Sequence, residues 1–147
     1  MPIYFYSANE DPYGCFSNFS AHGVSIGGLY FPTTEHYFQA MKFEGTPHVE
    51  QIRTAKSPTI AARMGRSRQR PLRADWESVK DDIMRLAVLT KFRTHKDIRT
   101  LLLATGDEDI IENAPGDRYW GIGKDGTGKN MLGKILVETR AILKNEG

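Results

Sequence analysis

Glu35, Gln39 and Lys42 stand at i, i+4 and i+7 in the segment Thr34-Glu35-His36-Tyr37-Phe38-Gln39-Ala40-Met41-Lys42, so a helix there places a carboxylate, a carboxamide and an amine on one face. A carboxylate in a cleft holds a developing positive charge or activates water, and an amine whose pKa burial depresses attacks an aldehyde carbon. The ordinary explanation of such a stripe is a solvated helix surface. Tyr37, Phe38 and Met41 beside it make a cleft-facing stripe the competing one.

A second signal is basic. Arg63, Arg66, Arg68, Arg70 and Arg73 fall within eleven residues that also contain Gly65, Ser67 and Pro71. Those breakers imply a turn rather than a regular exposed helix face, and guanidinium forks suit bidentate contacts to phosphate. The cluster belongs to a wider asymmetry: residues 1–52 carry one Lys/Arg against five Asp/Glu, residues 53–99 thirteen against five, and residues 100–147 six against eight. A cationic face for phosphates is one reading and a solvated helix surface the other.

Gly121-Ile122-Gly123-Lys124-Asp125-Gly126-Thr127-Gly128-Lys129-Asn130 fits G-x-G-x-x-G and the first part of a P-loop, but Asn130 stands where a P-loop needs Ser or Thr for magnesium. Asp117-Arg118-Tyr119-Trp120 precedes it in place of a buried strand. ATPase and dinucleotide-binding assignments are rejected. Backbone N–H groups of this turn, where it enters a helix, remain candidates for a phosphate cradle. Trp76 and Trp120 read first as core, although Trp120 lies in loop-like sequence where an aromatic can stack on a base. Cys15 is the only cysteine, read as a buried small residue and not a nucleophile. It excludes a disulfide framework and a cysteine zinc site, and His22, His36, His48 and His95 lack ligand spacing. No metal and no cofactor are expected.

The elements that must position these groups follow from local signals. Strands are expected at Ile3-Tyr4-Phe5-Tyr6, on either side of Gly27-Gly28 as a hairpin, and at Asp109-Ile110-Ile111-Glu112. Helices are expected at about 34–44 after a Thr cap, at Val49–Ala55, and at Pro58–Met64 after Ser57 with Gly65 as a stop. Further helices are expected from an Asp75 cap to about Arg93 with Trp76, Val79, Ile83, Leu86, Ala87 and Thr90 inward, at Asp97–Ala104, and at Asn130–Leu143 with Leu132, Ile135, Leu136, Thr139 and Leu143 inward. The sum is α+β, mostly helical, with a small antiparallel sheet. With 147 residues a single domain spanning 1–147 is expected. No apolar run approaches a membrane span, and Met1-Pro2-Ile3-Tyr4 lacks signal-peptide character, so the expected location is the cytoplasm, away from membranes.

Taken together in order, Phe16-Ser17-Asn18-Phe19, Thr34 to Lys42, Met64-Gly65-Arg66, Asp75-Trp76, Lys91-Phe92, Thr105-Gly106-Asp107, Ile111-Glu112-Asn113, Asp117 with Trp120-Gly121-Ile122-Gly123, and Gly128 to Gly133 resemble the NADAR superfamily, which includes the YbiA-like N-glycosidases. The resemblance implies metal-free cleavage of the N-glycosidic bond between a phosphorylated ribose and a base-like nitrogen. Two substrate classes go with it, phosphoribosylaminopyrimidine intermediates of riboflavin synthesis and ADP-ribosylated guanine in nucleic acid. It further implies Glu35, Lys42 and Asp117 as catalytic groups, with Asn18, Phe19, Arg66, Trp120, Gly121 and Asn130 binding substrate. Lys42 has two readings, a cation beside Glu35 or phosphate, and a Schiff-base nucleophile. A non-catalytic ADP-ribose-binding module is the rival class, and a DNA-binding structural domain a third. Oligomeric state is left open.

Overall fold

The computed structural model describes all 147 residues. They group into two compact units, one formed by residues 1–20 with 92–147 and the other by residues 21–91.

In the second unit a hairpin pairs β2 (Val24–Ile26) with β3 (Leu29–Phe31) antiparallel. Gly27 and Gly28 turn it with φ of 63° and 81°, a region open to glycine and costly to most other residues. Helix α1 (Thr34–Met41) follows, capped by Thr33, whose side chain accepts from the His36 backbone N–H. The His36 ring is engaged at both nitrogens. Its Nε2 lies 2.9 Å from the Ala55 carbonyl oxygen, which only accepts, so Nε2 carries the hydrogen and Nδ1 accepts from the Thr33 hydroxyl at 2.8 Å. Burial pushes the His36 pKa down, which keeps the ring neutral in this role.

Helix α2 (His48–Arg53) and helix α3 (Pro58–Arg66) pack on α1. Ser57 caps α3 by accepting from the Ile60 N–H, and Pro58 takes the first position, as expected. Gly65 does not stop α3. The helix runs through it to Arg66, and a Cβ at Gly65 would lie 2.0 Å from Gln39 Oε1. The glycine is there for the approach of α3 to α1.

Helix α4 (Trp76–Thr94) begins directly after Asp75, as expected of a cap at that position, and the Asp75 carboxylate receives the Arg73 guanidinium. Its inward face is Trp76, Met84, Ala87, Val88, Lys91 and Phe92, while Leu86 is 46% exposed. The apolar stripe is therefore rotated from the one expected on Val79, Ile83 and Leu86. A buried lysine stem on the inward face hid it from a reading by hydrophobicity.

In the first unit β1 (Ile3–Phe5) pairs with β4 (Ile110–Glu112) in parallel, Tyr4 opposite Ile111. The antiparallel sheet expected is thus the β2–β3 hairpin, and a parallel pair accompanies it. Phe5, Phe16 and Phe92 meet edge to face at 5.9 Å spacings. Helix α5 (Lys96–Ala104) and helix α6 (Met131–Glu146) complete the unit. All five expected inward residues of α6 are buried, joined by Arg140, which donates to Thr105 Oγ1 and the Glu108 carbonyl. Cys15 is half-buried, not buried, its thiol 3.7 Å from the Pro12 carbonyl.

Candidate active site

Every residue of α1 is buried, so the Glu35, Gln39 and Lys42 stripe is not a solvated helix surface. Burying a carboxylate and an amine is unfavourable unless each finds partners, and here they do. Glu35 is 7%, Gln39 4% and Lys42 8% exposed. Gln39 Nε2 donates to Glu35 Oε2 at 2.7 Å, the i, i+4 contact that helical spacing provides.

Lys42 sits at the C-terminal cap of α1, its backbone N–H bonded within the last turn. Its Nζ lies 5.8 Å from the ring centroids of both Phe38 and Trp76 and 3.5 Å from the Gly65 carbonyl oxygen. Burial drives the Lys42 pKa down from 10.5 to about 8, Arg68, Arg66 and Lys80 push the same way, and the Glu35 carboxylate opposes them. The aromatic faces favour the cation and oppose that shift. Arg68 Nη2 donates to the same Gly65 carbonyl at 2.9 Å. One carbonyl thereby anchors the neighbourhood of two cationic heads.

The arginine cluster divides by role. Arg73 is held by Glu44, Asp75 and the Met41 carbonyl, and Arg70 reaches Gln51, so both are structural. Arg66 and Arg68, exposed on the surface, are the two that act on Lys42. Sequence reasoning named Arg66 and did not single out Arg68. It had Trp76 as core, which holds, without its place over the amine. Gln39 was seen only as a stripe residue. The signal for it was present in the four-residue spacing from Glu35.

The remaining predicted residues lie in the first unit. Asp117 Oδ1 accepts from the Tyr119 and Trp120 N–H groups at 2.9 and 2.8 Å, an Asx turn that sets the half-buried Trp120 against Tyr119, ring centroids 4.9 Å apart. Asn130, at φ 53°, accepts from the Glu112 N–H and donates to the Ile110 carbonyl, each at 2.9 Å. Its carboxamide continues the β4 edge like a piece of strand. Its own N–H donates to the Gly121 carbonyl, so Asp117, Trp120, Gly121 and Asn130 form one local structure. Asn18 is buried and Phe19 exposed just beyond the 3-10 helix Tyr13–Phe16.

The glycine-rich turn is not a phosphate cradle at its helix entry. The N–H groups of Gly128, Lys129, Asn130, Met131 and Leu132 donate to the carbonyls of Ile122, Arg118, Gly121, Tyr119 and Trp120. The Asn130, Met131 and Leu132 donors that would serve an anion there are thus occupied by the chain itself. No group of three or more His, Cys, Asp or Glu residues is placed to hold a metal ion, and no helix is long and apolar enough to cross a membrane.

A helix-rich α+β chain whose most buried helix carries an acid, an amide and a depressed-pKa amine defines a class of site rather than a single reaction. The chain matches the NADAR domain family over residues 4–144 and belongs to that family. It is 50% identical over 144 residues to the N-glycosidase YbiA of Escherichia coli, covering 98% of this chain and 89% of that protein. The solved NMR structure of E. coli YbiA is similar with a TM-score of 0.91 at 49% identity, over 99% of this chain and 86% of that one. An N-glycosidase of Nostoc punctiforme is 51% identical over 148 residues, covering 99% of this chain and 94% of that protein. The chloroplastic riboflavin biosynthesis protein PYRR of Zea mays is 42% identical over 146 residues, covering 89% of this chain and 23% of that protein.

Proposed function

We propose that this chain is an N-glycosidase that hydrolyses the bond between a phosphorylated ribose and the nitrogen of a base-like leaving group, with Lys42 as nucleophile and Glu35 as the anion beside it. The observation that carries this reading is the Lys42 amine, buried among Phe38 and Trp76 with its pKa lowered to about 8. At neutral pH roughly a tenth of it is free base, enough for attack on an electrophilic carbon. The names of the E. coli and Nostoc relatives support the bond type, and that of the maize relative supports a phosphoribosylaminopyrimidine as the first substrate class. ADP-ribosylated guanine in nucleic acid is the second.

A ribosylamine opens to an imine at its anomeric carbon. Neutral Lys42 Nζ adds to that carbon, the bond to the leaving nitrogen breaks, and the nitrogen departs with the proton it has gained. Water then adds to the lysine imine, releasing the sugar as its aldehyde and returning the amine. Glu35, ionised, stabilises the cationic iminium and takes the proton of the attacking water. Arg66 and Arg68 hold the sugar phosphate. The assignments of Asp117 and Trp120 to the leaving base rest on the family resemblance and call for substitutions of their own.

Purified protein mixed with a phosphoribosylaminopyrimidine should release the free aminopyrimidine, read by chromatography. Borohydride added during turnover should fix a sugar-sized mass on Lys42, and Glu35→Gln should abolish release while the protein stays folded. Binding without release from this substrate and from ADP-ribosyl-guanine DNA would make the chain a binding module instead.

A further inference from the structure

We infer that Gln39 is the positioning residue for Glu35, seated in its donating orientation against the bare Cα of Gly65, so that the pair presents the Glu35 carboxylate as a fixed anion. The inference rests on the reading of Glu35 as the anion that faces the sugar. Gln39 Nε2 donates to Glu35 Oε2 at 2.7 Å. The other end of the same carboxamide, Oε1, is buried with no hydrogen-bond partner and lies against Gly65, where an added Cβ would stand 2.0 Å from Oε1, 2.7 Å from Cδ and 2.9 Å from the Gln39 Cβ.

An orphaned amide oxygen in a buried site is unfavourable, and leucine or methionine would fill the same space without it. What the amide adds over those residues is one N–H on the carboxylate. Turning it over would set its oxygen against a carboxylate oxygen and its NH₂ against a methylene, losing the only bond it makes. The bare Cα of Gly65 gives the Oε1 end its place, which any Cβ there would take. A donor of this kind favours the ionised form of its acceptor, which makes Glu35 a base and a charge stabiliser rather than the acid that protonates the leaving nitrogen. Lys42, at the C-terminal cap of α1, acts on Glu35, and Arg68 and Arg66 beyond and at the end of α3 and Lys80 on α4 act on Lys42 in turn.

Gln39→Met keeps length and burial and removes the donor. With a phosphoribosylaminopyrimidine as substrate, kcat should fall about 10- to 100-fold, the range of one charge-assisted bond, with KM within about threefold of wild type. Gln39→Leu removes the same donor with a second apolar side chain and should reproduce the fall in kcat. It decides the question alone if Gln39→Met does not fold. Unchanged kcat in these variants, or a change confined to thermal stability or KM, overturns the clamp while an inactive Glu35→Gln leaves Glu35 in its role. A fully active Glu35→Gln removes the reading on which the clamp stands.

Discussion

Lys42 concentrates opposing requirements in one side chain. Its stem and amine are packed against Phe38 and Trp76, its charge is repelled by Arg68 and Arg66, and Glu35 pulls it back towards the cation. The balance near pH 8 leaves both protonation states populated at physiological pH, which a nucleophile that must also return as a leaving group requires. Lys42→Arg separates the amine from the charge, because guanidinium stays cationic and does not form a Schiff base. That variant should lose at least about 100-fold in kcat, the low end expected when a covalent route is removed, with KM changed far less. In the wild type, activity should climb with pH up to about 8 as Lys42 deprotonates, then level. An active Lys42→Arg variant with a flat profile would leave Glu35 and water as the mechanism.

Among the elements, those whose ends are fixed by neighbours in sequence were legible there. Thr33 and Ser57 cap α1 and α3 as read, Pro58 opens α3, and Gly27-Gly28 turns the hairpin, all contacts spanning a few residues. The β1–β4 pairing was not legible in orientation, because it joins Ile3 to Ile110 and nothing local sets the direction. Gly65 was misread for a related reason: a glycine near a helix end and a glycine under a neighbouring helix look alike until the neighbour is known. In the site, Glu35 and Lys42 were legible as a pair from helical spacing. Phe38 beside the amine was legible too, whereas Arg68 and the cover from Trp76 were not, since they come from the turn beyond α3 and from α4.

Asn130 shows how an element end doubles as a joint. Its left-handed backbone ends the glycine-rich turn, and its carboxamide binds both Ile110 and Glu112 of β4. Asn130→Gly keeps the backbone freedom and loses both bonds, whereas Asn130→Ala also forces a Cβ into the left-handed region. Denaturant unfolding should show Asn130→Gly destabilised by about 1–3 kcal/mol and Asn130→Ala by roughly a further 1 kcal/mol. Equal stability of wild type and Asn130→Gly would show that the carboxamide does not hold β4.

At the scale of the whole molecule the same lysine links activity to stability. Lys42 gives up its proton near pH 8 in the folded chain, against 10.5 for an ordinary lysine. Between those values the unfolded chain holds more protons than the folded one, so stability rises with pH across that window. Below pH 8 the full penalty of burying the cation is present, about 3 kcal/mol for a shift of this size. Replacing the amine by a thioether removes it. Lys42→Met keeps an unbranched stem beside Phe38 and Trp76, and although Glu35 loses one compensating cation, Arg66 and Arg68 remain. At pH 7 the variant should therefore be more stable than wild type by about 1–3 kcal/mol, raising Tm by several degrees, and should be inactive. The gain should shrink as pH climbs from 8 towards 10.5, because the wild-type amine is then neutral in the folded state. Urea unfolding of both proteins at pH 7 and pH 10 reads this directly. A Lys42→Met variant less stable than wild type at pH 7 would mean that the fold holds the amine as a stabilised cation, and the case for Lys42 as a nucleophile would fall with it.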